Sequence, residues 1–362
     1  IALRLVGSEM CIRDRVRPKI EVSGTAFKSL VSNCYNNGNA CPSDYNVPIG
    51  CWNTSKVTDM EETFYDKAAF NDSINCWNVS SVTDMRLMFA FASDFNQPLD
   101  DWDVASVTDM YAMFYEAPKF NQPLDDWDVA SVTDMAEMFR KASNFNQPII
   151  DWDVASVTNM YGMFDIAPFF NQPLDDWDVA SVTRMDRMFG EASNFNQSLD
   201  DWDVASVTSM ASMFRGATSG SMFYGATNFN QPLDDWNVAS VNNMNRMFYR
   251  ATNFNQSLND WNVASVTDMA YMFQQATDFN QPFNDWNVAS VSYMRGMFYS
   301  ASDFNQQLNN WNVASVTNMY GMFGKASDFN QPLDDWNVAS VTDMEGMLSL
   351  IHISEPTRRS AI

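Results

Sequence analysis

The chain has 362 residues, 46% of them apolar, and carries 21 Lys and Arg against 45 Asp and Glu, a formal charge of −24. That balance argues against nucleic acid as a partner, because phosphate contacts need a basic surface. No apolar run reaches the roughly 18 residues required to span a membrane, and the composition is that of a chain able to bury a core.

Residues 1–15 and 348–362 belong to no repeat. Both read as translated sequencing-adapter sequence (IALRLVGSEMCIRDR at the start, LSLIHISEPTRRS at the end), with ordinary terminal tails as the alternative. On the adapter reading the natural termini are missing, and a leader or anchor cannot be sought. The single histidine, His352, lies in one of these flanks, and so does Cys11 in the other.

Residues 16–50 precede the repeats. In TAFKSLVSNCYNN, Phe27, Leu30, Val31 and Cys34 recur at helical spacing, which predicts one amphipathic helix. A repeat array exposes its terminal core unless something covers it, and this helix is assigned as the N-terminal cap. Cys34 and Cys41 bracket a short loop, while Cys51 and Cys76 each precede a tryptophan one repeat apart. Equivalent positions of stacked strands lie about 4.8 Å apart, within the Cα range of a disulfide. Two bridges, 34–41 and 51–76, are therefore expected, with reduced thiols or a metal site as rivals. Irregular spacing and the lack of C-x-x-C disfavour zinc. Disulfides imply a secreted or surface setting.

From residue 51 to 347 the twelve tryptophans, Trp52 to Trp336, recur every 25 residues, with one interval of 34 between Trp202 and Trp236. A fixed period in this range is the signature of a solenoid. The unit is clearest at 102–126, WDVASVTDMYAMFYEAPKFNQPLDD. Leu99, Trp102 and Val104 suit a short strand with Trp and Val on one face. Met110, Met113, Phe114 and Ala117, at i, i+3, i+4 and i+7, predict a short helix with Thr108 or Asp109 as its N-cap. Pro123 closes the turn before the next unit. The expected fold is an α/β solenoid, one elongated domain of about 12 strand-turn-short-helix coils, since one unit alone has too little core to fold. The long interval holds a nine-residue duplication at 212–220 (SMFRGATSG, then SMFYGATNF). It is too short to add a coil and is expected to bulge from the helical side.

Equivalent residues form columns. The asparagines of F-N-Q, from Asn96 to Asn330, suggest a ladder in which each side chain satisfies the next coil's backbone; a ligand-facing role is the other reading. The adjoining Gln97–Gln331 column is expected to be exposed. Trp, Met and Phe are assigned to the core. Asp101, Asp103, Asp126, Asp128, Asp151, Asp153, Asp176, Asp178, Asp201 and Asp203 flank the tryptophans and point outward, becoming partly Asn from Trp236 onward. Stacked like charges must be solvated, matched to a basic partner such as a protein or glycan, or neutralised by a hard cation. For calcium, Asp101 to Asp178 are the candidate ligands. Catalysis is not expected. The same groups recur at every rung, and without a histidine in the array no Ser-His-Asp or Cys-His site can be assembled.

The unit FNQPLDDWDVASVTDMxxMF resembles the repeat of the BspA-like leucine-rich-repeat surface proteins, over roughly residues 51–347. The resemblance implies a leucine-rich-repeat-like stack in which W-x-V replaces the usual L-x-L strand. It also implies an extracellular or cell-surface protein of recognition or adhesion. The expectation is a non-catalytic protein that binds its partner through the extended acidic strand face. The alternative is a structural solenoid, either a spacer or an ice-binding lattice, for which the column Thr108, Thr133, Thr158 and Thr183 is the narrow support.

Overall fold

The computed structural model describes residues 18–36, 41, 45, 47–216 and 227–348, and the chain divides into two compact units at 172/173. The adapter-like flanks, apart from Leu348, lie outside the described residues, as do the central residues 217–226 of the long interval. Helix α1 (Gly24–Asn36) and a short 3₁₀ turn (Ile49–Cys51) are the helical elements of the described residues. Neither is long and apolar enough to cross a membrane.

In the first unit each coil lies beside the next in parallel register. Each coil forms one parallel β-bridge to the next, through Asp59, Asp84, Asp109, Asp134 and Asn159. Among the described residues the predicted strand is absent. Trp102 N–H closes a reverse turn onto Leu99 O (3.2 Å) and Val107 N–H another onto Val104 O (2.9 Å). Between them the Asp103 carboxylate accepts the Ala105 N–H (3.3 Å), an Asx turn that bends the chain just after the tryptophan.

The predicted short helix is also absent among the described residues, and its stripe is produced by another geometry. Leu87, Phe89 and Phe91 donate their N–H groups to Tyr111, Met113 and Tyr115 of the next coil (2.8–2.9 Å), while Met88, Ala90 and Ala92 donate within their own coil, three residues back (3.0–3.2 Å). The alternation needs a left-handed residue every fourth position, and Leu87, Phe91, Ala112 and Glu116 have φ of 55°, 61°, 51° and 52°. Spacing explains the outcome. Helices pack 8–10 Å apart, whereas Phe89, Phe114 and Phe139 stack coil to coil at 5.4 and 5.6 Å. No α-helix fits that pitch.

The apolar residues fill the interior as expected. Trp102, Trp127 and Trp152 stack at 6.4 Å within 4° of parallel, and each coil pairs two phenylalanines face to face, as Phe114 and Phe120 at 3.9 Å. Each such contact is worth about 0.5–1.5 kcal/mol beyond its buried area. Every indole N–H needs an acceptor when buried, and Trp127 finds one at Leu99 O of the preceding rung (3.1 Å). Trp52 has no such rung before it, and its indole N–H lacks a partner among the described residues. The asparagine ladder forms as expected: Asn96 Oδ1 accepts the Asn121 N–H (2.9 Å). The glutamines are a correction. Gln122 is half-buried because its amide reaches back to Asn96 Oδ1 and O (2.9 and 3.0 Å).

The segment before the first coil takes the place of a preceding one. Ile20 N–H and Gly24 N–H bond Asn53 O and Asp59 O (both 3.0 Å), and Ser23 Oγ accepts from Thr58 and Asp59 N–H (3.0 and 2.9 Å). Phe27, Val31 and Cys34 are buried, with the Phe27 ring edge-on to Trp77 at 5.5 Å. Cys34 and Cys41 are disulfide-bonded. The second expected bridge is not formed: Cys51 and Cys76 remain thiols. Residues equivalent in parallel register carry parallel Cα–Cβ bonds, so their Cβ atoms stay about 4.8 Å apart, beyond the ~3.5–4.5 Å a disulfide requires.

The second unit repeats this architecture, with bridges through Arg184, Ser209, Asn243, Asp268, Tyr293, Asn318 and Asp343. Trp202 and Trp236 stack at 6.4 Å and 2° across the long interval. Asn230 N–H still reaches Asn196 Oδ1 (3.0 Å), so the added residues leave the stack intact.

Candidate recognition surfaces

All ten predicted aspartates, from Asp101 to Asp203, are exposed beside buried tryptophans. The residue after each tryptophan has a local task. Asp128, Asp153, Asp178 and Asp203 accept the Ala130, Ala155, Ala180 and Ala205 N–H groups at 3.0–3.2 Å. Asn237, Asn262 and Asn287 make the same bond at 3.2–3.3 Å. Either side chain supplies the carbonyl-type oxygen, so the turn fixes the residue pair Asp/Asn while leaving the charge free to vary.

Charge crowding falls on columns the sequence reading passed over. In the first unit the bridging column holds Asp109, whose carboxyl is raised by burial and then by Asp134 and Asp84. In the second unit burial raises Asp200, followed by Asp235, Asp234 and Asp201. The group of three carboxylates close enough to share a cation among the described residues is Asp59, Glu61 and Asp84, with ligand atoms within 4.8 Å. The aspartate pairs expected to hold calcium do not gather in that way. Arg86 already lies against the trio, 2.9 Å from Asp84 and 3.2 Å from Glu61, and it extends to Asp109 at 3.7 Å.

A second surface was not foreseen. Within M-x-x-M-F-x-x-A the two x-x pairs change from coil to coil while the residues around them are copied, and these pairs carry most of the array's cations. In the first unit they close on carboxylates. Arg140 meets the fully buried Asp165 at 3.0 Å and Glu137 at 2.6 Å, and Lys141 pairs with Glu116. In the second unit Arg215 pairs with the buried Glu191 at 2.8 Å, but the coils after Trp236 differ. There Arg246 lies 4.6 Å from the Tyr271 ring centroid, and Arg295 lies 5.7 Å from Tyr271 and 4.7 Å from Tyr320. Lys325 sits over Tyr299 at 5.5 Å. The signal was available in the sequence as variation between copies at fixed positions.

The threonine column is exposed, yet its hydroxyls are engaged: Thr108, Thr133 and Thr158 Oγ1 each donate to the carbonyl of the preceding threonine at 3.1–3.2 Å.

Comparison with known proteins gives a family and little else. No curated protein matches the chain. A crystal structure of a TLR13–ssRNA13 complex aligns with 81% of this chain and 48% of its own at 7% identity and a TM-score of 0.19. The chain thus spans about half of that protein, and so low a score carries no argument about fold or ligand. The family described as "Mycoplasma protein of unknown function, DUF285" matches residues 31–138, 122–221, 218–301 and 283–352. Tandem matches over nearly the whole array make the chain a member of the DUF285 repeat family.

Proposed function

We propose that this chain is a non-catalytic recognition or adhesion protein, secreted or displayed at a cell surface, that binds a protein or glycan partner through its extended acidic face. The observation that carries the reading is the exposure of Asp101, Asp126, Asp151 and Asp176 at equivalent places in successive repeats, with no single rung set apart from the others. Many weak, identical contacts suit avidity rather than a single deep site. The Cys34–Cys41 disulfide supports an oxidising compartment. The resemblance to the BspA-like leucine-rich-repeat surface proteins supports the same setting.

Binding of the protein to an immobilised cationic array tests the reading. Asp→Asn at 101, 126, 151 and 176 is expected to abolish it, and undiminished binding would remove the acidic face from consideration. Calorimetric titration with calcium tests the cation alternative, for which heat release lost in the same variant is the supporting result. For the ice-binding alternative the threonine column is exposed, but its hydroxyls already donate within the array and offer only acceptor lone pairs outward.

A further inference from the structure

We propose that the row Arg246–Tyr271–Arg295–Tyr320, with Tyr293 beside it, is a second docking surface, one that takes an extended acidic segment of a protein partner. It goes beyond the acidic-face reading, using residues of opposite charge on a different part of each coil.

The row runs through four consecutive coils of the second unit, alternating guanidinium and phenol ring at 4.6, 5.7 and 4.7 Å. Its cations are not consumed internally. Arg246, Arg295 and Lys325 form no ion pair among the described residues, and Arg246 makes its one side-chain hydrogen bond to Asn245 Oδ1 at 3.0 Å. With 45 acidic residues against 21 basic ones, a shortage of carboxylates does not explain this. The rings are held in place. A Cβ on Gly296 would come within 2.7 Å of the Tyr271 ring, so glycine at that point lets the phenol lie flat on the next coil. A fixed ring in turn holds the guanidinium planes over it, leaving the N–H edges of exposed Arg246 and Arg295 for a ligand.

Such edges match carboxylates through paired N–H···O bonds. Both guanidinium groups flank one ring and so lie within about 10 Å of each other, the span of one turn, three residues, of an extended polyproline II chain at about 3.1 Å each. In that conformation side chains three residues apart share one face, so an acidic side chain at every third residue meets both arginines. Tyr293 is 52% exposed, and Tyr and Arg are the side chains that dominate binding energy at protein interfaces. Sugar stacking is disfavoured, because guanidinium groups already cover the Tyr271 and Tyr320 faces.

The test is a titration of the full chain with a labelled short peptide bearing Glu at every third position, beside its Gln counterpart. The Glu peptide is expected to bind with an affinity that falls as salt rises, and the Gln peptide is expected not to. Arg246→Gln with Arg295→Gln should weaken binding about tenfold, the sum of two exposed ion pairs. The double Lys variant should recover only part of that loss, since it keeps charge without the fork. Gly296→Ala, which leaves net charge untouched, should also weaken binding by displacing Tyr271. Asp126→Asn with Asp151→Asn should change nothing here, so failure of the acidic-face reading and failure of this one are separable. Equal affinity in the double Gln variant would overturn the proposal. So would heparin binding that depends on the two arginines while the Glu peptide fails to bind. Concentration-dependent self-association without peptide binding would equally contradict it.

Discussion

Two stretches of the repeat array share one backbone and differ in what they do with their cations. In the first unit Arg86, Arg140 and Lys141 meet carboxylates of their own or neighbouring coils. After Trp236 in the second unit, Arg246, Arg295 and Lys325 lie over tyrosines, as Arg140 and Lys141 do over Tyr115 at 5.4 and 5.6 Å, but they have no carboxylate partner among the described residues. Core, turns and ladders are alike in both, so the scaffold does not dictate the difference. It arises at the x-x pairs, which vary from coil to coil and nearly all of which keep at least one residue partly exposed, although members such as Ala112, Asp165 and Glu191 are buried. A copied core with freely varied pairs is a frame on which local charge can be rewritten without altering the fold.

The two units share an equivalent core, and its loss has the largest expected effect. Phe139 stacks on Phe114, Phe145 and Phe164 in the first unit, as Phe273 stacks on Phe248, Phe279 and Phe298 in the second. Truncation of either to Ala should cost about 3–5 kcal/mol in denaturant unfolding. Unequal costs would show that the two units are not built alike.

The cation contrast itself predicts a smaller, unequal pair of effects. Arg140→Gln deprives the fully buried Asp165 of a charged partner and should destabilise by about 1.5–3 kcal/mol. Arg295→Gln removes exposed ring contacts only, worth about 0.5–1 kcal/mol. Similar losses at the two sites would erase the distinction.

The smallest effect is the pH dependence. Burial, then neighbouring carboxylates, raises Asp109 and Asp200 in the folded chain. The folded state therefore holds these protons more tightly than the unfolded state, and their contribution favours folding at low pH and is lost as pH rises through the raised values. Thermal midpoints should increase on modest acidification from neutrality towards the upper carboxylate range. Asp109→Asn should flatten that rise while keeping the turn, since Asn159 accepts the Tyr161 N–H (3.2 Å) as Asp109 accepts that of Tyr111 (2.9 Å). A midpoint that falls over this range would contradict the sign.

Much of this interior was legible from spacing. Burial of Trp102 and its equivalents followed from the fixed period, and the asparagine ladder from F-N-Q recurring with it. The helix was misread because Met110, Met113, Phe114 and Ala117 fall on one face in two different geometries. Non-glycine residues such as Ala112 and Glu116 carry their positive φ without any mark in the sequence. Glycine at Gly162, Gly296 and Gly321, each with φ near +60°, was the available hint. The Cys51–Cys76 bridge failed because Cα spacing was considered without Cβ direction. The arginine–tyrosine row leaves only the variation at the x-x pairs as its mark in the sequence, since its partners lie 24 or 25 residues apart and meet only between coils.

Far-UV circular dichroism of the full chain tests the central claim most directly, that turn segments bonded coil to coil stand where helices were expected. A weak helical signal is expected from the repeats, since the one α-helix among the described residues has 13 residues and precedes them. A strong helical double minimum, one that requires a helix in every repeat, would contradict it.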